Sequence, residues 1–124
     1  MPNPCVNKII IQGYLSADPK LYRKGRAKTP VAQFTVATNE SWIDGKGETQ
    51  KHTEWHPVVA WDKLAEYASG HFGRGMVVYV EGYVRTQEWT DKGQKRSRKV
   101  IIASMMKQIS ESRGDPLSGD SVDF

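Results

Sequence analysis

One cysteine, Cys5, is all the thiol chemistry this 124-residue chain has. No internal disulfide can hold the fold, and a reducing compartment is the simpler expectation. No apolar run approaches the roughly 18 residues of a membrane span. Met1-Pro2-Asn3-Pro4 lacks the basic and apolar regions of a secretion signal. A soluble, cytoplasmic protein independent of membranes is expected. Histidine is scarce as well, with three in the chain. His52, Glu54 and His56 would share one face of a strand, but they offer no fourth ligand and no cleft. No metal, no cofactor and no catalytic residue is therefore expected.

Acid is the scarcer charge, with 14 Asp and Glu against 18 Lys and Arg. After Ser110 come Glu111, Asp115, Asp120 and Asp123 against Arg113 alone, so the body is more basic than the whole-chain +4. A basic body suits a polyanionic partner, although charge alone leaves nucleic acid and an anionic membrane surface both open. The length fits one domain with its own core. Residues 1–110 are expected as that domain, and 111–124 as a short, acidic, flexible tail.

Val6 to Leu15, rich in β-branched residues, reads as a first strand; Ala17-Asp18-Pro19 and Lys24-Gly25-Arg26 read as turn chemistry in a basic loop. From Val31 to Asn39 the apolar bulk falls on Ala32, Phe34 and Val36, the alternation of a half-buried strand. Asp44-Gly45-Lys46-Gly47 marks a hairpin, and His52 to Trp61 forms its return strand. Asp62 reads as the N-cap of one helix, with Leu64, Ala65 and Ala68 at helical spacing. Met76 to Thr90, a turn at Asp91 to Gln94, and Lys95 to Ile109 make a second long hairpin. Three strands, one helix and two strands predict an all-β chain with one helix, an OB-fold: a five-stranded Greek-key barrel with extended hairpins. An RRM needs a second helix.

Four tryptophans are many for a core of this size. Trp42, Trp55 and Trp89 have polar neighbours on the two hairpins, whereas the alternation leaves the direction of Trp61 open. A lone tryptophan is more often core. Several on hairpins that also carry cations suit unpaired bases, since each base offers a π-face and phosphates are neutralised by Lys and Arg. The candidate phosphate contacts are Lys51, Lys63, Arg74, Arg85, Lys92, Arg96 and Arg98, with Lys95 beside them. Stacking and phosphate contact do not by themselves tell DNA from RNA. An OB-fold that mainly holds protein partners is the competing reading.

The stretches VNKIIIQGYLSADP (6–19), VAQFTVATNESW (31–42), TEWHPVVAWDKLAE (53–66) and VYVEGYVRTQEWTDKGQ (78–94) resemble the bacterial single-stranded DNA-binding protein family. The resemblance implies an OB-fold subunit, usually of a homotetramer, that organises single-stranded DNA in replication, recombination and repair, near the nucleoid. It aligns Trp42, Trp55 and Trp89 with the family's stacking tryptophans, and Trp61 with a position where the family commonly has a stacking phenylalanine. It aligns Lys63, Arg74 and Arg85 with positions commonly basic, and His56 with a subunit-contact histidine. Pro57, Gln87 and Glu88 depart from positions often basic. The terminal Asp120, Val122, Asp123 and Phe124 resemble a reduced form of the tip that recruits replication and repair proteins in that family.

Overall fold

The computed structural model describes residues 4–110. Its elements are β1 (Ile9–Leu15), β2 (Lys20–Lys24), β3 (Thr29–Ile43), β4 (Thr49–Trp61), α1 (Lys63–His71), β5 (Val77–Asp91) and β6 (Gln94–Ser110). The basic loop expected after the first strand contains a strand of its own, β2. All five of its residues are exposed, so no apolar alternation betrays it.

β1 and β2 are two pieces of one bent strand. Tyr14 and Leu15 pair with Ala37 and Val36, and pairing with β3 resumes at Lys20 opposite Gln33. Residues 16–19 thus face only Thr35 and Phe34, and the surplus makes the kink a bulge allows. β1 also pairs antiparallel with β5, β5 with β6, β6 in parallel with β4, and β4 with β3. The ring closes on β1, giving a five-stranded barrel with β2 as the continuation of its first strand. This is the OB-fold.

Two glycines let the barrel close tightly. A β-carbon at Gly13 would collide with the Ala37 carbonyl where β1 crosses β3, and one at Gly82 would strike the Ile102 carbonyl beside a bulge. Inside lie Ile11, Leu15, Phe34, Val36, Val58 and Val80, with Ala65, Ala68 and Phe72 of the helix region plugging the barrel. Phe34 and Phe72 meet edge to face at 5.7 Å.

The helix begins differently from the expected capping. The Asp62 side chain makes no cap hydrogen bond; its backbone sits at φ 57°, ψ −126°. Its amide donates to the Pro30 carbonyl at 2.9 Å, and its carbonyl accepts from Glu66 at 3.1 Å. Anchoring to β3 outranks side-chain capping here. The helix also runs through Gly70, ending at His71.

Both long hairpins outrun the barrel. In the β3–β4 turn, Asp44 Oδ1 accepts from the amides of Lys46 at 2.8 Å and Glu48 at 2.9 Å, while Oδ2 accepts from Gln50 Nε2 at 3.1 Å. These bonds, the Glu48 amide first, lower the Asp44 pKa. The β5–β6 turn has Lys92 at φ 50° and Gly93 at φ 80°, the pair of positive values of a type I′ turn.

Candidate nucleic-acid interface

Residues directly paired across a ladder rise from the same face of the sheet. On β3 and β4 the pairs Val31–Trp61, Gln33–Val59, Thr35–Pro57, Ala37–Trp55 and Ser41–Lys51 therefore share the outer face of the barrel and its hairpin. On β5 and β6 the pairs Tyr83–Ile102, Arg85–Val100, Gln87–Arg98 and Trp89–Arg96 do the same. The two halves join where Val59 pairs with Ile102. Val31, Val59, Val100 and Ile102 form a small buried cluster of their own, against which Trp61 and Tyr83 pack. This second cluster fixes the outer face as one surface instead of two loose hairpins.

That surface gathers Trp55, Trp61 and Trp89 with Lys51, Arg85, Arg96 and Arg98. Trp55 and Trp89 are 53% and 45% exposed. Trp61 is half-buried, with Lys24 Nζ 5.7 Å from its ring centroid. Arg85 lies over Tyr83, its guanidinium carbon 5.3 Å from the ring. Sequence reasoning missed Tyr83; its one signal is the alternation Tyr83, Arg85, Gln87 and Trp89 along β5.

Not every candidate falls on this face. Trp42, 48% exposed, pairs with Gln50 and has the opposite parity from Trp55. The same side carries Glu40 opposite His52, and Glu54. The His52 and Glu54 side chains meet at 3.0 Å, a bond that lowers the Glu54 pKa. Lys63 opens α1, and Arg74 lies in the connection to β5, its amide held by Asp18 Oδ1 at 2.8 Å. Lys92 stands at the β5–β6 tip. His56 is half-buried, its Nε2 2.9 Å from Thr38 Oγ1. Among the described residues, no group of three His, Cys, Asp or Glu could hold a metal ion. Nor is any helix among them long and apolar enough to cross a membrane. Asp120, Val122, Asp123 and Phe124 lie outside the described residues.

Pro57 has a physical place here. Thr35 turns its carbonyl toward Ser16, so the Thr35–Pro57 pair is a non-hydrogen-bonded one and the proline nitrogen faces the other edge of β4. Pairing with β6 starts at the next residue, Val58. Proline therefore breaks no ladder bond to β3 and blunts the open edge of β4. Beside it, a solvent-open depression of about 270 Å³ is lined by Asp18, Lys20, Gln33, Thr35 and Arg98, among others.

A model of the single-strand binding protein family matches residues 6–109. The chain belongs to that family. Single-stranded DNA-binding protein 1 of Chlorobaculum tepidum is 37% identical over an alignment of 106 residues, and the match covers 84% of this chain. The chain spans 65% of the length of that curated relative. Among solved structures, the Plasmodium falciparum SSB complex with ssDNA superposes with a TM-score of 0.78 at 28% identity. That match covers 89% of this family member and 100% of the Plasmodium chain.

Proposed function

We propose that this chain binds single-stranded DNA without sequence preference, by stacking bases on Trp55, Trp61 and Trp89 and by pairing phosphates with Lys51, Arg85, Arg96 and Arg98. Trp42, Lys63, Arg74 and Lys92 extend the contact from neighbouring surfaces. The observation that carries the reading is the shared outer face on which exposed indoles alternate with guanidinium groups. Stacking contributes about 1–3 kcal/mol per base and every base has a π-face, so such a surface binds tightly without reading sequence. A related protein's complex with single-stranded DNA lends support.

The working unit in this reading is a homotetramer, with His56 at a subunit contact. Support comes from β1, whose Ile9–Gly13 stretch pairs only with β5 among the described residues. Ile10 and Met105, aligned there through Glu81, are 54% and 42% exposed. In the cell the protein protects and organises exposed strands in the cytoplasm, at the nucleoid, during replication, recombination and repair. Asp120, Val122, Asp123 and Phe124 serve as its contact for proteins of those processes.

The test is competition at fixed salt among single-stranded DNA oligomers of unrelated sequence, the matched duplex and the matched RNA, with light scattering on the same samples. The reading expects the single strands to compete equally, the duplex poorly, and a scattering mass of four chains. Equal affinity for the duplex contradicts the stacking mechanism, and a monomer contradicts the assembly.

A further inference from the structure

The two sides of the β3–β4 hairpin are charged differently. On the outer side Ala37 stands opposite Trp55 and Ser41 opposite Lys51. On the reverse side the pairs beyond the barrel are Thr38–Glu54, Glu40–His52 and Trp42–Gln50. These six residues include two carboxylates and no Lys or Arg. A third carboxylate closes the far end, where Gln50 Nε2 donates to Asp44 Oδ2. At the barrel end stands His56, opposite Val36 and bonded to Thr38. Among the described residues, no Lys or Arg lies within ion-pair distance of Glu40 or Glu54.

Trp42 therefore presents its exposed ring from an acidic surface. A base stacked there brings its phosphate toward Glu40, Glu54 and Asp44, and like charges at this range repel even in water. His52 sits among these groups. It stands opposite Glu40 and diagonal to Trp42, and its Nε2 donates to Glu54 Oε2 at 3.0 Å. Diagonal neighbours on one face lie about 7–8 Å apart, within reach of an aromatic side chain. The hydrogen bond from His52 comes first among the influences that lower the Glu54 pKa, followed by the charge of His52, and His56 also contributes. The His52 and Glu54 side chains are both more than half exposed, so solvent and a passing strand reach them. Imidazole is the side chain that ordinarily changes charge between about pH 5 and 8.

We infer that His52 gates the Trp42 side of the hairpin. Neutral, it leaves an acidic surface that turns a single strand away; protonated on Nδ1 as well, it offsets the carboxylates and lets a base reach Trp42. The inference rests on the single-strand reading above and adds a pH-dependent contact to the outer face, whose cations are Lys and Arg. Phosphate beside His52 favours the charged imidazole, so binding takes up a proton and affinity rises as pH falls.

The test measures the affinity of the full chain for a long dT oligomer at fixed low salt from about pH 8 to about pH 6, where thymine and phosphodiester keep a constant charge. Wild-type affinity should rise about two- to fivefold over that range. His52→Gln should hold the upper-pH affinity throughout. Glu40→Gln combined with Glu54→Gln should raise affinity at the upper pH by a similar factor. His71→Gln, at the end of α1, should keep the wild-type rise. With Trp55→Phe, Trp61→Phe and Trp89→Phe combined, Trp42 is the one indole left, and its quenching by saturating oligomer should deepen as pH falls. A rise that survives in His52→Gln, or wild-type affinity that stays flat, overturns the inference while leaving the single-strand reading standing. Wild type that binds at neither pH overturns that reading instead.

Discussion

Trp89 and Arg96 stand directly opposite each other across the β5–β6 ladder, so indole and guanidinium rise from the same face of the hairpin. Their adjacency gives the two parts of the binding reading different signatures. Trp89→Ala should weaken binding about 5- to 150-fold with little change in salt dependence, because it removes stacking. Arg96→Gln should shrink the salt slope by about 0.7 while leaving the quenching of Trp89 intact. Titrations at several salt concentrations check both, and identical effects of the two substitutions would contradict the division of labour.

Barrel closure at Gly13 makes a prediction about stability alone. Gly13→Ala drives a methyl group into the Ala37 carbonyl and should cost about 1–3 kcal/mol. Gly45→Ala has no atom within 4 Å of the added carbon and serves as the neutral control. Urea unfolding of both variants decides, and equal stability would mean that β1 and β3 have room to separate.

Asp62 holds a backbone conformation that glycine adopts freely and other residues hold at a cost of about 1–3 kcal/mol. Its side chain caps nothing, so Asp62→Gly removes no helix bond. The substitution should raise stability by about 1 kcal/mol, or Tm by about 4 °C for a domain of this size. A lower Tm in a thermal scan would show that the carboxylate has a stabilising role after all.

The Asp44 turn should loosen in acid. Amide hydrogen bonds lower the folded-state pKa of Asp44, so its contribution is fully present above the ordinary value of 3.8 and is lost as pH falls through the lowered one. Protection of the Lys46 and Glu48 amides in hydrogen exchange should decline below pH 3.8, and Asp44→Asn should flatten that dependence. Unchanged protection in acid would show that the turn holds without the carboxylate.

The barrel was legible wherever one face of a strand is buried, as at Ala32, Phe34 and Val36, because burial writes its period into the sequence. β2 was not, since all its residues are exposed. The glycine-like backbone of Asp62 was hidden because the sequence does not show that its amide is tied to Pro30. Exposure of Trp55 and Trp89 could be argued from polar neighbours. That Trp42 takes the opposite parity could not, since it requires an unbroken register along the whole β3–β4 hairpin. The direction of Trp61 also waited on the structure, where Val31, Val59, Val100 and Ile102 supply the surface it rests on.

The most direct test follows intrinsic tryptophan fluorescence while poly(dT) is added to the full chain at low salt, with Trp55→Ala in parallel. Stacking predicts strong, saturable quenching, reversed by added salt and reduced in the variant. Fluorescence that stays constant while an independent assay reports bound DNA would contradict it, because the indoles would then be bystanders to the contact.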